Sequence, residues 1–223
     1  MASLNFLKFL IGCALDKVVT KMDFYLLRFY KGREAADLIK RIKPYVLKPS
    51  ELLTLYSLAK EQTNIDGDFA EVGVFKGVSA EIICKAKNDK PFHLFDTFES
   101  FPEISKYDNA ISSIERKYFT ADFEKIKEKF SKYENVRIYK GLFPQTSGPI
   151  KDKKFSLVHL DADLYQSTKD SLEFFYPRMT SGGIIVLHDY YAGGVKKAIN
   201  EFLKDKKESV IQLPMSQCAL IKK

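Results

Sequence analysis

The stretch Asp68-Phe69-Ala70-Glu71-Val72-Gly73-Val74-Phe75-Lys76-Gly77-Val78-Ser79 constrains this chain more than any other: an apolar strand breaks into a glycine turn that opens a helix. Gly73 and Gly77 suit a tight turn in which backbone approaches a ligand. The helix that follows, with Ser79 on its first turn, would offer free N–H groups to an anionic end of that ligand. A dinucleotide-binding loop reads GxGxxG and needs its second glycine for the pyrophosphate. Here the pattern is ExGxxxG and that place holds Val74, so no pyrophosphate is expected. Glu71 is placed to take hydrogen bonds from a cationic or hydroxylated ligand, which suits the ammonium of S-adenosylmethionine. An isolated glycine turn also reads as an ordinary strand-to-helix connection, so the remainder of the chain decides.

Strands are expected at 68–74, 92–95, 136–139, 155–160 and 184–187, and helices from about 78 and at 122–132, 172–176 and 195–203. In the second of these helices Phe123, Ile126 and Phe130 share one face. Strands alternating with helices imply a parallel sheet covered on both faces. The tail differs: 210–213 and 218–221 read as two short strands joined by Pro214-Met215-Ser216-Gln217. An antiparallel hairpin ending an α/β chain distinguishes class I methyltransferases from ordinary dehydrogenase folds. The expected fold is thus α/β, a doubly wound, seven-stranded, Rossmann-like class I methyltransferase sheet with a C-terminal antiparallel hairpin and an N-terminal helical cap. Ahead of it, Pro49 and Ser50 open a helix bearing Leu52, Leu53, Tyr56 and Leu58, with Ser50 as N-cap and the helix covering the sheet edge.

At 223 residues and 25.6 kDa, with 45% hydrophobic residues, the chain can build one α/β domain and an N-terminal appendage, not two full domains. The expected division is a basic helical segment at 1–48 and a cofactor-binding domain at 49–223. Of the net charge of +7, residues 1–48 supply most, with ten Lys or Arg against four Asp or Glu. That asymmetry argues against a nucleic-acid-binding surface on the catalytic part. Residues 4–15 are apolar but interrupted by Lys8 and followed by Asp16 and Lys17, too short to span a bilayer and without the marks of a signal peptide. Phe24, Tyr25, Arg28, Phe29, Tyr30 and Lys31 suit a helix packed on its own domain or on a partner subunit in a homo-oligomer, or a helix lying on a membrane surface. Cys13, Cys84 and Cys218 are odd in number and lack CxxC spacing, which suggests neither a disulfide framework nor a thiolate zinc site and fits a reducing, cytoplasmic setting.

In open α/β sheets ligands bind outside the carboxyl ends of the strands. Glu71 lies at the end of the first strand and Asp96 ends the second, where a carboxylate is the usual partner of ribose hydroxyls. Asp161 and Asp163 follow Val158-His159-Leu160, and His188 and Asp189 follow 184–187. The interval from Asp161 to Asp189 holds a helix and a return strand, so both carboxylates can converge on one ion. Hard oxygen ligands there suit Mg²⁺, which keeps waters and leaves room for a substrate's oxygens. A single strand-end Asp also reads as a helix cap, and Asp163 suits the turn before Ser167. His93 and His159, inside apolar strand patterns, read as structural.

Several blocks together resemble the metal-assisted O-methyltransferases, of the catechol and caffeoyl-CoA kind and, more closely, the macrocin O-methyltransferase family. They are residues 71–79, Phe95-Asp96-Thr97-Phe98-Glu99-Ser100-Phe101-Pro102, Lys140-Gly141-Leu142-Phe143-Pro144-Gln145-Thr146, Leu160-Asp161-Ala162-Asp163-Leu164-Tyr165-Gln166-Ser167-Thr168, and Gly182-Gly183 ahead of His188-Asp189-Tyr190. The likeness runs from about residue 49 to 222. It implies that Glu71, Gly73, Gly77 and Ser79 hold the methionine end of S-adenosylmethionine, Asp96 its ribose, and Gly141 and Leu142 border its adenine. The resemblance also implies that Asp161 borders the cofactor. It further implies that Asp161, His188 and Asp189 bind Mg²⁺ or Mn²⁺ and form the catalytic cluster. His188 is a departure, because related enzymes usually carry a carboxylate there; histidine suits a borderline metal such as Mn²⁺ better than Mg²⁺. His188 as a base, or as a donor behind the ligands, are the other readings. Catechol-type enzymes place a lysine where this chain has Leu164, so the general base is unidentified.

The long irregular stretch 97–121 carries Phe98, Phe101, Tyr107, Tyr118 and Phe119 and reads as a lid whose aromatics stack on a sugar or ring, or as a surface excursion packed on itself. The expected activity is transfer of a methyl group to a hydroxyl of a sugar or other polar metabolite. Two rivals are a non-catalytic cofactor-binding module and a nucleotide-dependent oxidoreductase.

Overall fold

Seven strands form one sheet in the order β3-β2-β1-β4-β5-β7-β6 in a computed structural model that describes residues 18, 21–22, 33–42, 47–102, 104–108 and 119–223. The strands are β1 (Asp68–Val72), β2 (Phe92–Asp96), β3 (Val136–Lys140), β4 (Phe155–Leu160), β5 (Met179–Leu187), β6 (Ile211–Gln212) and β7 (Cys218–Ile221). β1 to β5 run parallel and β7 pairs antiparallel with both β5 and β6. The order reverses between β1 and β4, which opens a crevice at their carboxyl ends. The expected doubly wound sheet and its terminal hairpin are both present. β4 is buried at every position because helices cover both faces, and its two polar residues, Ser156 and His159, are buried with the rest.

The α-helices among the described residues are α1 (Arg33–Arg41), α2 (Pro49–Gln62), α3 (Val78–Ala86), α4 (Phe123–Phe130), α5 (Tyr165–Phe175) and α6 (Gly193–Leu203). One face of the sheet packs Phe69, Leu94, Leu157 and Val186 against α2, α3 and α4. The other packs Val158, Ile185 and Leu220 against Leu172 and Phe175 of α5 and Ile199 of α6. Ile126 and Phe130 are buried and Phe123 packs against them, as the spacing in α4 requires. Asp122 caps that helix through the N–H groups of Glu124 and Lys125.

Two expectations about α2 are corrected. Ser50 is not its N-cap: Lys48 is, and Pro49 enters at the first helical position, where its fixed φ suits the helix and its missing N–H costs nothing. Nor does α2 cover the sheet edge. It packs beside α3 and reaches β4 and β5, over the middle of the sheet. Ile39 of α1 and Leu47 are buried in the same core as Leu52 and Leu55 of α2. The aromatic-basic run at 24–31, and with it the self-association and membrane-surface readings, lies outside the described residues. Among the described residues no helix is long and apolar enough to cross a membrane. His93 and His159 are core residues, each against a carboxylate, Asp68 and Glu71 respectively.

Candidate active site

The strand-to-helix turn after β1 is held by protein, not by ligand alone. Gly73 has φ +89° and a methyl there would overlap the Asp161 carbonyl, so the glycine lets the ends of β1 and β4 close on each other. Gly77, at φ +71°, caps α3, and a Cβ there would meet the Phe130 ring at 2.7 Å. Asp96 fastens the loop between them: Oδ2 accepts from the Val74 and Phe75 amides, each at 2.7 Å, and Oδ1 accepts from the Phe98 amide at 2.6 Å. Burial outweighs these bonds and pushes its carboxyl upward. The carboxylate expected to meet ribose hydroxyls is thus also the clasp of the loop.

A cavity of about 320 Å³ lies across the carboxyl ends of β1, β2, β4 and β5. Gly73, Ser79, Asp96, Gly141, Leu142 and Asp161 line it together with His188 and Asp189, so residues separated along the sequence converge as expected. Glu71 and Gly77 do not line it. Glu71 is fully buried behind Ser79: it accepts from the Ser79 hydroxyl at 2.5 Å and stands 2.8 Å from His159 Nδ1. Burial raises its carboxyl despite those two partners. In this arrangement Glu71 is linked to the cavity only through Ser79, because β1 lies beside β4 within the sheet and its penultimate side chain turns into the core.

At the other end of the cavity, His188 Nδ1 stands 3.1 Å from Asp161 Oδ1 and 3.1 Å from Asp189 Oδ2, yet makes an aligned hydrogen bond with neither. Burial opposes a charge on this imidazole, but the nearby Asp161, Asp189 and Glu51 outweigh it and hold the ring protonated far above the usual histidine range. Burial likewise pushes Asp189 up, and contact with His188 and then Asp163 brings it below the ordinary carboxylate range. Asp163, at φ +58°, goes the other way: burial, then Asp161 and Asp189, raise it well above that range. The cluster is therefore a place for one positive charge among carboxylates. A proton on His188 supplies it, and a divalent ion bound to the deprotonated ring would displace that proton.

The donor set fits such an ion. Oxygens of Asp161 and Asp189 and a nitrogen of His188 lie within 4.8 Å of one another, and Nδ1 is a buried polar atom without a partner. Adjacent ligands of an ion at about 2.0–2.2 Å stand about 3 Å apart, close to the two separations of 3.1 Å from His188 Nδ1 to Asp161 and to Asp189. Three contributors are not assigned to the cluster by the sequence. Asp163 reads in the sequence as a turn residue, and its place just past the carboxyl end of β4 beside Asp161 is the signal that it borders the same crevice. Glu51 and Ser216 come from α2 and the hairpin turn, and no local pattern points to either.

The strand order and the crevice at its reversal define a class I methyltransferase fold. The chain belongs to the Macrocin-O-methyltransferase (TylF) family, whose sequence profile matches residues 55–220. Over 152 residues it is 27% identical to the 8-demethyl-8-(2,3-dimethoxy-alpha-L-rhamnosyl)-tetracenomycin-C 4'-O-methyltransferase of Streptomyces olivaceus, covering 62% of this chain and 58% of that protein. Over 154 residues it is 27% identical to the mycinamicin III 3''-O-methyltransferase of Micromonospora griseorubida, covering 62% and 61%. The matched stretch thus spans about three fifths of the length of these relatives. The crystal structure of CalS11, a calicheamicin methyltransferase, shares the fold, with a TM-score of 0.71 at 18% identity over 92% of this chain and 91% of that one.

Proposed function

We propose that this chain is an S-adenosylmethionine-dependent O-methyltransferase that acts on a hydroxyl of a sugar or similarly polar metabolite, with a divalent cation held by Asp161, His188 and Asp189. The observation that carries this reading is that one cavity joins the glycine turn and Asp96 at one end to the carboxylate–imidazole cluster at the other. The sugar acceptor rests on the relatives, two of which are named for methylating a rhamnosyl-bearing tetracenomycin and mycinamicin III.

S-adenosylmethionine supplies a methyl group on an electrophilic sulfonium, and a divalent cation supplies Lewis-acid charge that lowers the pKa of an acceptor hydroxyl. The protein's part is alignment and charge. Ser79, oriented by Glu71, and the first N–H groups of α3 receive the methionine end. Asp96 offers its remaining lone pairs to the ribose, and Gly141 and Leu142 border the adenine. Asp161 and Asp189 fix the acceptor oxygen in line with the methyl group. Asp163 stands beside them, and added positive charge there draws its carboxyl toward the ionised state that can accept the hydroxyl proton. Phe75, Phe101 and Phe119 wall the cavity, with Phe119 5.7 Å from Phe75 and 4.9 Å from Phe101, and offer ring faces to the apolar side of a sugar.

The test is incubation with S-adenosylmethionine and a panel of deoxysugar glycosides bearing free hydroxyls, read by mass spectrometry. One added methyl per acceptor is expected, lost in EDTA and restored by Mn²⁺ or Mg²⁺. Tight S-adenosylhomocysteine binding without transfer to any hydroxylated acceptor would favour a non-catalytic module, and NADH binding an oxidoreductase.

A further inference from the structure

We propose that Glu51 and Ser216 form a positioning pair that fixes the proton of His188 on Nε2, leaves Nδ1 as a metal ligand, and so tunes the site toward a borderline cation such as Mn²⁺ over Mg²⁺. The inference rests on the metal reading above and extends it to residues outside the ligand set.

The assignment follows from counting donors. Glu51 is 2% exposed on α2, and its Oε1 accepts from both the Ser216 amide at 3.0 Å and the Ser216 hydroxyl at 2.8 Å. The hydroxyl has one proton, and that proton is committed to Glu51. Toward His188 Nε2, 3.0 Å away, Ser216 Oγ therefore presents only lone pairs. Among the described residues, Glu51 Oε1 also lies near Nε2, at 3.4 Å, and is likewise an acceptor. Two acceptors face Nε2, so Nε2 is the donor. Nδ1, on the opposite side of the ring, faces carboxylate oxygens of Asp161 and Asp189 with no aligned hydrogen bond. A neutral ring whose single proton is pinned at Nε2 carries its lone pair at Nδ1, where the two carboxylates converge.

Metal selectivity follows from the ligand types. A site of two carboxylates and one imidazole has less negative charge and a softer donor than three carboxylates, which favours borderline first-row ions over Mg²⁺. Glu51 also has a purely structural role, since its Oε2 accepts from the Lys48 amide at 2.7 Å and so satisfies the N-cap amide of α2. The cap uses the other oxygen, so the two roles can be separated. Glu51→Gln keeps a carbonyl oxygen for the cap but turns an amide donor toward Ser216 and His188. Ser216→Ala leaves the cap untouched and removes the hydroxyl beside Nε2.

The experiment uses the full chain. Mn²⁺ affinity is read from the electron paramagnetic resonance signal of free Mn²⁺, Mg²⁺ affinity by competition, and S-adenosylhomocysteine affinity by calorimetry as the control for an intact fold. The native chain is expected to prefer Mn²⁺, with spin-echo modulation from a directly bound nitrogen. Glu51→Gln and Ser216→Ala are each expected to weaken Mn²⁺ binding by about 10- to 100-fold, with a smaller loss for Mg²⁺ and unchanged S-adenosylhomocysteine affinity. His188→Asp is expected to abolish both the nitrogen modulation and the preference for Mn²⁺. If the native chain binds Mn²⁺ through nitrogen but Ser216→Ala and Glu51→Gln bind it just as tightly, or lose Mn²⁺ and Mg²⁺ equally, the positioning role is wrong and the metal reading stands. If the native chain binds neither ion, both fall together.

Discussion

The two ends of the cavity are built on different principles. Around β1 and β2 the working parts are backbone: Gly73 lets two strand ends touch, Gly77 turns the chain into α3, and the Asp96 carboxylate holds three amides. Around β4 and β5 they are charges, with Asp161, Asp163, Asp189 and Glu51 gathered about a single imidazole. The first end is specified by the absence of side chains and fails when one is added. The second is specified by a charge balance and fails when one member is neutralised. Changes at the two ends should therefore separate cofactor affinity from turnover.

The largest expected effect is at the charged end. Asp189→Asn should lower turnover by about 100-fold or more, roughly 2.7 kcal/mol in the barrier, while S-adenosylhomocysteine affinity stays within a few-fold. Steady-state kinetics beside calorimetry checks this, and a parallel loss of cofactor affinity would erase the distinction between the ends. At the backbone end, Asp96→Ala should weaken S-adenosylhomocysteine binding by about 1.5–3 kcal/mol, since it removes an acceptor for the ribose and frees the loop at residues 74–75. Mn²⁺ affinity should not move.

Gly73→Ala probes the seam, because the added methyl presses on the carbonyl of Asp161, a member of the other end. It should weaken S-adenosylhomocysteine and Mn²⁺ together, each by about tenfold, and lower the melting temperature by several degrees. An effect on one ligand alone would show the ends to be more independent than this contact implies.

The sequence made the first end legible and half of the second. β4 and β7 fall where the sequence places them, because strands buried on both faces leave mainly apolar stretches, interrupted in β4 by Ser156 and His159. β5 starts at Met179, ahead of the expected 184, because Ser181-Gly182-Gly183 looks like a turn; Gly182 takes φ +79° and the pairing with β4 shifts register there while the strand continues. α5 starts at Tyr165, ahead of the expected 172, because polar Gln166, Lys169 and Asp170 blur its apolar stripe. Strand-end carboxylates were readable since topology alone brings them together. Glu51 and Ser216 meet across 165 residues, a contact that only the packing of α2 over β5 and the hairpin creates.

The smallest expected effect uses the two buried thiols as silent reporters of each end. Cys84 lies on α3, behind the glycine turn, and Cys218 pairs with Leu187, the residue before His188. Burial pushes both thiols up to about 12, for Cys84 against a smaller opposing pull from Lys87. At pH 8 only about one thiol in ten thousand is then ionised, so alkylation requires local opening. In a Cys13→Ser background, iodoacetamide should label the native protein slowly at both sites. S-adenosylhomocysteine should slow Cys84 more than Cys218, by binding against α3, and Mn²⁺ should slow Cys218 more than Cys84, by tightening the segment from His188 to Ser216. Mass spectrometry of labelled peptides separates the two rates. Equal protection of both thiols by either ligand would mean that the sheet opens as one unit and that the division between a backbone-built end and a charge-built end does not extend to its dynamics.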